Sequence, residues 1–286
     1  MNRRDFIKTA VAGIGGTAIP GVRGEASANA EKTLRDIVYS AEAGADGVGD
    51  LYLPANVKPD TPMLLAIHGG GWSAGDRYSW SGVAEFFRSD LGFAVFNIEY
   101  RLTKKGPWPL CGDDCLAAAR YLLSDTFRTR FGIDCRAVWV CGGSAGGHLA
   151  LWTGLTLPPT QVAGIVSISG IGDLTPDEAA HPRRYVGLFG RKPSAEELRA
   201  ASPVTLVTPQ SPPIFCSHAA VDDVVPFESS RLFVEACRAA NVPVEFFVYK
   251  QKDSGHSIWR PGSKPHRLFP DIEAAIAAFV KSRSGN

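Results

Sequence analysis

Apolar residues in this chain gather into short unbroken blocks, separated by longer stretches in which apolar and polar positions alternate at helical spacing. The blocks at 63–67, 93–98, 137–141, 162–168, 213–217 and 244–249 read as strands buried on both faces. The mixed stretches near 79–90, 110–130, 144–156, 227–240 and 270–282 read as the helices between them. A hairpin-like pair, Leu34–Tyr39 and Gly49–Leu53, precedes the alternation. Strand, helix, strand repetition predicts an α/β fold with a mostly parallel central sheet and helices on both faces. In such a sheet the loops at the carboxyl ends of the strands meet along one edge, and binding or catalytic groups are expected there.

The block at 137–141 runs into Cys141-Gly142-Gly143-Ser144-Ala145-Gly146-Gly147-His148. A serine at the centre of Gly-x-Ser-x-Gly, between a strand and a helix, is the sequence form of a nucleophile elbow. So tight a turn strains the serine backbone and excludes bulky neighbours, a demand that the small residues at 142, 143, 145, 146 and 147 meet. Further upstream the strand block at 63–67 leads into His68-Gly69-Gly70-Gly71-Trp72. Glycines placed there let backbone N–H groups face a cavity, as an oxyanion hole requires. A flexible turn is the plainer reading of three glycines, but a position between a buried strand and a helix favours the donor role.

These motifs resemble the α/β-hydrolase esterase/lipase superfamily that carries a His-Gly-Gly-Gly loop, and the likeness runs from about residue 33 to 281. Tyr100-Arg101-Leu102, Trp108-Pro109 with Asp114, Gly132-Ile133-Asp134 and Ala201-Ser202-Pro203-Val204 follow in the family's order. The resemblance implies an α/β-hydrolase fold and a triad in the order serine, acid, histidine. It implies Ser144 as nucleophile, His256 in Gly255-His256 as base, and Asp222 as acid, although Ala219 replaces the glycine usual in that acid loop. Asp223 is the alternative acid; neighbouring loop residues point apart, so only one of the two faces the histidine. The implied oxyanion donors are the N–H groups of Gly70, Gly71 and Ala145. His68 is expected to brace the glycine loop, and His148 lies one turn beyond Ser144. His181 and His266 fall in polar, proline-bearing loops. No His-Glu-x-x-His or paired Cys-x-x-Cys spacing occurs, so neither metal nor cofactor is expected.

The chemistry implied is acyl transfer by a serine carboxylesterase acting on short-chain esters. Residues 171–211 are long enough for a small cap, and a small cap leaves an open cleft that admits a bulky alcohol such as a sugar chain. Trp72 and Trp259 are candidates to line it, together with Tyr78, Trp80 and Trp108. The motif set is similar to bacterial esterases of acetylated or feruloylated polysaccharides. Peptidases of the prolyl-oligopeptidase type and arylformamidases are the enzyme alternatives. Ala145, where those peptidases carry a bulky aromatic, argues against the first, and an exported location argues against the second. A non-catalytic binding protein on the same fold is the alternative from another class, disfavoured by the presence of Ser144, Asp222 and His256 together.

Composition narrows partners and compartment. The 286 residues are 45% hydrophobic and 21% charged, an ordinary globular balance. A net charge of +1 without a basic run gives no reason to expect nucleic acid. Arg3-Arg4-Asp5-Phe6-Ile7-Lys8, followed by a mildly apolar stretch from 9 to 20, resembles a twin-arginine export signal. Ala26-Ser27-Ala28 and Ala28-Asn29-Ala30 are both small-x-small cleavage sites, and the apolar stretch is too short for a membrane span. Residues 1–30 are therefore expected to be a signal peptide that engages the twin-arginine machinery, and 31–286 a periplasmic or secreted hydrolase domain. Export would permit disulfides among the six cysteines. Cys111 and Cys115 are close enough in the chain to pair, with Cys135 and Cys237 as other candidates, while Cys141 and Cys216 read as packed thiols.

Overall fold

The structure, a computed structural model, describes residues 30–249, 255, 256 and 258–283. The arginine pair at residues 3 and 4 and the site Ala26-Ser27-Ala28 lie outside the described residues. Eight strands form one sheet: β1 (Lys32–Val38), β2 (Val48–Leu53), β3 (Met63–Ile67), β4 (Ala94–Ile98), β5 (Val138–Gly143), β6 (Val162–Ile168), β7 (Ile214–Ala219) and β8 (Val244–Tyr249). Their order is β1-β2-β4-β3-β5-β6-β7-β8. The β1/β2 and β2/β4 pairs are antiparallel and every other pair is parallel. The expected first hairpin and the parallel sheet are thus both present.

Period-two side-chain alternation splits the core into two layers. On β3, Met63, Leu65 and Ile67 join one cluster while Leu64 and Ala66 join the other. On β5, Val138 and Val140 part from Trp139 and Cys141 in the same way. The first layer is covered by α2 (Leu110–Leu122), α4 (Ala145–Thr156) and α8 (Phe227–Ala239). The second is covered by α1 (Ser81–Glu85) with the π turn Phe86–Asp90 that continues it, and by α9 (Pro270–Arg283). The helix expected over 110–130 is two: α2 ends at Leu122 and Ser124 caps α3 (Asp125–Phe131), accepting from Phe127 N at 3.2 Å.

The segment at 171–211 folds into α5 (Leu174–Ala180), α6 (Pro182–Phe189), α7 (Ala195–Ala201) and a short 3-10 turn. α2 is tied to the sheet by a two-pronged ion pair, in which Arg101 after β4 donates to both oxygens of buried Asp114. All six cysteines are free thiols, so none of the candidate bridges among Cys111, Cys115, Cys135 and Cys237 is formed. Cys111 and Cys115 sit one turn apart on α2, a spacing at which helical Cβ atoms stand about 5–6 Å apart, against about 3.8 Å in a disulfide. No helix among the described residues is long and apolar enough to cross a membrane.

Candidate active site

The elbow follows from the meeting of β5 and α4. Ser144 sits between them with φ 55° and ψ −125°, a left-handed backbone that costs energy for a residue with a side chain. Its N–H donates to Ile168 O at 2.9 Å, which fixes the turn against β6. Close packing dictates the small neighbours: a Cβ on Gly146 would collide with the carbonyl oxygens of Ile67 and His68. A Cβ on Gly143 would collide with the Trp80 indole, which lies flush against the elbow.

Ser144 Oγ is 3.0 Å from His256 Nε2, and His256 Nδ1 is 2.8 and 3.1 Å from the two oxygens of Asp222. An ionised carboxylate only accepts, so Nδ1 carries the hydrogen and Nε2 is left to receive one from the serine. The Asp222 side chain is fully buried, while the imidazole is 23% exposed and reaches the cleft. Val224 N and Val225 N also donate to Asp222 Oδ1, at 2.9 and 2.8 Å. Burial alone would raise the Asp222 pKa; hydrogen bonds from His218 and His256 outweigh it and hold the carboxyl well below the usual carboxylate range. Asp223 is exposed and makes no bond to His256. A hydroxyl, an imidazole and a buried carboxylate linked in this way can carry out nucleophilic attack with proton transfer.

The glycine loop faces this triplet. Gly70, at φ 122°, and Gly71, at φ 58°, hold left-handed backbone that a side chain would disfavour. Neither N–H donates to a carbonyl among the described residues, and Ala145 N opens a helix, where the first N–H groups have no partner within it. Trp72, expected as a cleft wall, is instead fully buried. Its Nε1–H donates to His148 Nδ1 at 3.2 Å, which leaves His148 Nε2–H to donate to Ala201 O at 2.9 Å. Burial pushes the His148 pKa down to about 4, opposed by the Ala201 carbonyl, so the ring is a neutral cross-brace from the glycine loop through α4 to the end of α7. His68 stacks on Tyr100 at 4.3 Å, and the Tyr100 hydroxyl donates to His68 O at 3.0 Å. The loop is thereby fixed from both ends.

The cleft beside Ser144 has a volume of about 510 Å³. Besides the glycines, Ser144 and His256, its walls are Ser79, Trp80, Val224, Ile258, Trp259 and His266. Trp259 is therefore where the sequence puts a wall, whereas Tyr78 and Trp108 are elsewhere. Trp80 meets Trp259 edge to face at 5.1 Å. Among the described residues no part of 171–211 lines the cleft. That role falls to the turn after His256, where Trp259 bridges to Leu268 and Glu273 holds both Arg260 and Arg267. Trp259 and the acid loop that begins at His218 are marked in the sequence, but the Glu273 clamp on Arg260 and Arg267 and the contact of His218 with Asp222 join residues with no local signal.

A sequence profile of the family described as BD-FAE matches residues 49–237, about two thirds of the chain. This chain belongs to the BD-FAE family. The matched span holds the glycine loop, the elbow and Asp222 of this BD-FAE member. Esterase LipC of Mycobacterium tuberculosis is 32% identical over 204 residues, covering 64% of this chain and 50% of that protein. Dipeptidyl aminopeptidase BIII of Pseudoxanthomonas mexicana is 28% identical over 243 residues, covering 78% of this chain and 33% of that one. The chain spans half or less of these two relatives. A solved truncated form of a carbohydrate esterase from gut microbiota superposes with a TM-score of 0.75 at 21% identity, over 91% of this chain and 98% of that one. That likeness establishes the α/β-hydrolase fold for this BD-FAE protein.

Proposed function

We propose that this BD-FAE protein is a serine carboxylesterase for short-chain acyl esters, with acetyl or feruloyl groups on carbohydrate as the substrates to try first. The observation that carries the reading is the unbroken chain from Ser144 Oγ through His256 to Asp222, opposite the Gly70–Gly71 loop. In the proposed cycle His256 Nε2 takes the Ser144 proton as Oγ attacks the ester carbonyl, and Asp222 stabilises the imidazolium. The N–H groups of Gly70, Gly71 and Ala145 receive the oxyanion, each such donor contributing on the order of 3 kcal/mol to transition-state stabilisation. The imidazolium then protonates the leaving alcohol, and water repeats the steps to release the acid.

A cleft whose described walls hold no aspartate, glutamate, lysine or arginine suits an uncharged ester. It suits an aminopeptidase poorly, since among its described walls no carboxylate stands to receive a substrate's ammonium group. The test is hydrolysis of p-nitrophenyl acetate, butyrate and octanoate, with Ser144→Ala as control. Activity that falls with acyl length and vanishes in the variant supports the reading; octanoate preferred over acetate would refute the short-acyl part of it. Inert acetylated and feruloylated glycans beside rapid turnover of simple esters would remove the carbohydrate part. Export by the twin-arginine route is proposed from Arg3-Arg4. Double Arg→Lys substitution at 3 and 4 is expected to leave the protein in the cytoplasmic fraction, and unchanged export would contradict it.

A further inference from the structure

Asp222 is held on a second side by another histidine. His218, fully buried on β7, places Nε2 3.2 Å from Asp222 Oδ2 and 3.0 Å from Val225 O. Both neighbours only accept, so Nε2 carries a hydrogen. At the other end of the ring, Nδ1 is 2.8 Å from Ser230 Oγ on α8, and that hydroxyl is 2.9 Å from Gly170 O after β6. Ser230 has one hydrogen: given to Nδ1 it leaves the ring's hydrogen on Nε2, and given to Gly170 O it makes Oγ an acceptor for an Nδ1–H, while the two acceptors facing Nε2 still call for a hydrogen there. The ring also meets Phe227 edge-on at 5.7 Å. It is thus pinned from three sides with one donor aimed at the acid.

A serine, a histidine and an acid require no second imidazole to transfer an acyl group. We propose that His218, keyed by Ser230, is a positioning residue that sets the direction and the negative charge Asp222 presents to His256. The inference rests on the serine-hydrolase reading above. His218 acts through Asp222 and touches no reacting atom. The groups facing Asp222 are His218 from β7, His256 from the turn after β8, and the Val224 and Val225 N–H groups of its own turn. Tyr249 at the end of β8 lies near enough for the Asp222 charge to act on it, and its hydroxyl is bonded to Ser169 at 2.9 Å. Arg184 of α6 donates to Val224 O at 3.0 Å, with its other donors on Asp177. Deleting the Nε2 donor leaves more negative charge on Asp222 for His256. The His256 imidazolium is then favoured, and the acid limb of activity moves to higher pH.

The experiment measures kcat, KM and the pH profile of kcat/KM on p-nitrophenyl acetate for His218→Leu, His218→Gln and Ser230→Ala. His218→Leu is expected to lose about 10- to 100-fold in kcat with KM little changed, and its acid limb to rise by roughly half to one pH unit. Gln can return an N–H to Oδ2, so His218→Gln should recover part of both effects. Ser230→Ala should shift the limb the same way by less. An unmoved limb in all three variants overturns the proposal, as does equal loss in Leu and Gln, which would mean packing alone. Should His218→Leu fail to fold by circular dichroism, the Gln and Ser230→Ala variants decide by the same criteria. The rate of Ser144 labelling by a fluorophosphonate separates the two levels. A parent that labels while the variants match it sinks only the inference, and a parent that never labels sinks the hydrolase reading and the inference with it.

Discussion

At the scale of single residues, the site depends on which atoms can give and which can only take a hydrogen. Asp222→Asn keeps the shape but offers an amide N–H or a weaker acceptor to His256 Nδ1, and the imidazole loses the reason to hold its hydrogen there. A fall in kcat of about 10⁴-fold with folding intact is the expected outcome, read by steady-state kinetics and a thermal midpoint. A loss below tenfold would transfer the acid's role elsewhere. The Trp80 indole fills the space that a side chain at 143 would occupy. Gly143→Ala is therefore expected to displace Trp80 and alter the ratio of butyrate to acetate hydrolysis more than it alters stability; an unchanged ratio would mean that Trp80 does not bound the acyl group. His148 gives a pH signature. Its pKa is held at about 4 in the fold against 6.5 for the free side chain, so between those values the unfolded chain binds a proton that the folded chain refuses. Stability from this group is whole above about pH 6.5 and falls towards pH 4, by roughly 3 kcal/mol in full. His148→Gln should show a flatter decline in urea midpoint between pH 7 and 5 than the parent, and parallel declines would contradict it.

At the scale of elements, the strands were legible because apolar blocks bounded by glycine and proline leave few other solutions, and β3 and β5 lie within a residue or two of the expected blocks. The elbow and the glycine loop were legible for the same reason: their local geometry needs small residues in a fixed order. What escaped was decided by contacts distant in sequence. An aromatic beside a site reads as a wall, but the Trp72 indole N–H finds His148 on α4 and the ring is buried. The segment at 171–211 looked like a cap by length, yet the described cleft is bounded by the turn that carries Trp259 and His266. That turn is clamped by Glu273 of α9, 7% exposed, on Arg260 and Arg267, with Arg267 also bound to Asp90. Glu273→Gln removes the charge that both arginines share and should destabilise the protein by about 1–3 kcal/mol. Because the rim it anchors holds Trp259, KM should rise more than kcat falls. A variant that loses stability with KM unchanged would show that the rim does not touch the substrate.

At the scale of the whole molecule, one sheet brings together groups that the chain keeps far apart. Gly70 and Gly71 follow β3, Ser144 follows β5, Asp222 follows β7 and His256 follows β8, so four parallel strands deliver them to one edge. Two core layers hold that sheet, and the ion pair of Arg101 with Asp114 ties α2 to the loop after β4. The proposed activity requires Ser144 to be a nucleophile activated through His256. The most direct measurement is peptide mapping by mass spectrometry after brief exposure to a fluorophosphonate, comparing the parent with Ser144→Ala and His256→Ala. A single adduct on the peptide carrying Ser144, absent in the first variant and strongly slowed in the second, is the predicted result. No adduct on the folded parent, or an adduct that forms equally fast without His256, would contradict it.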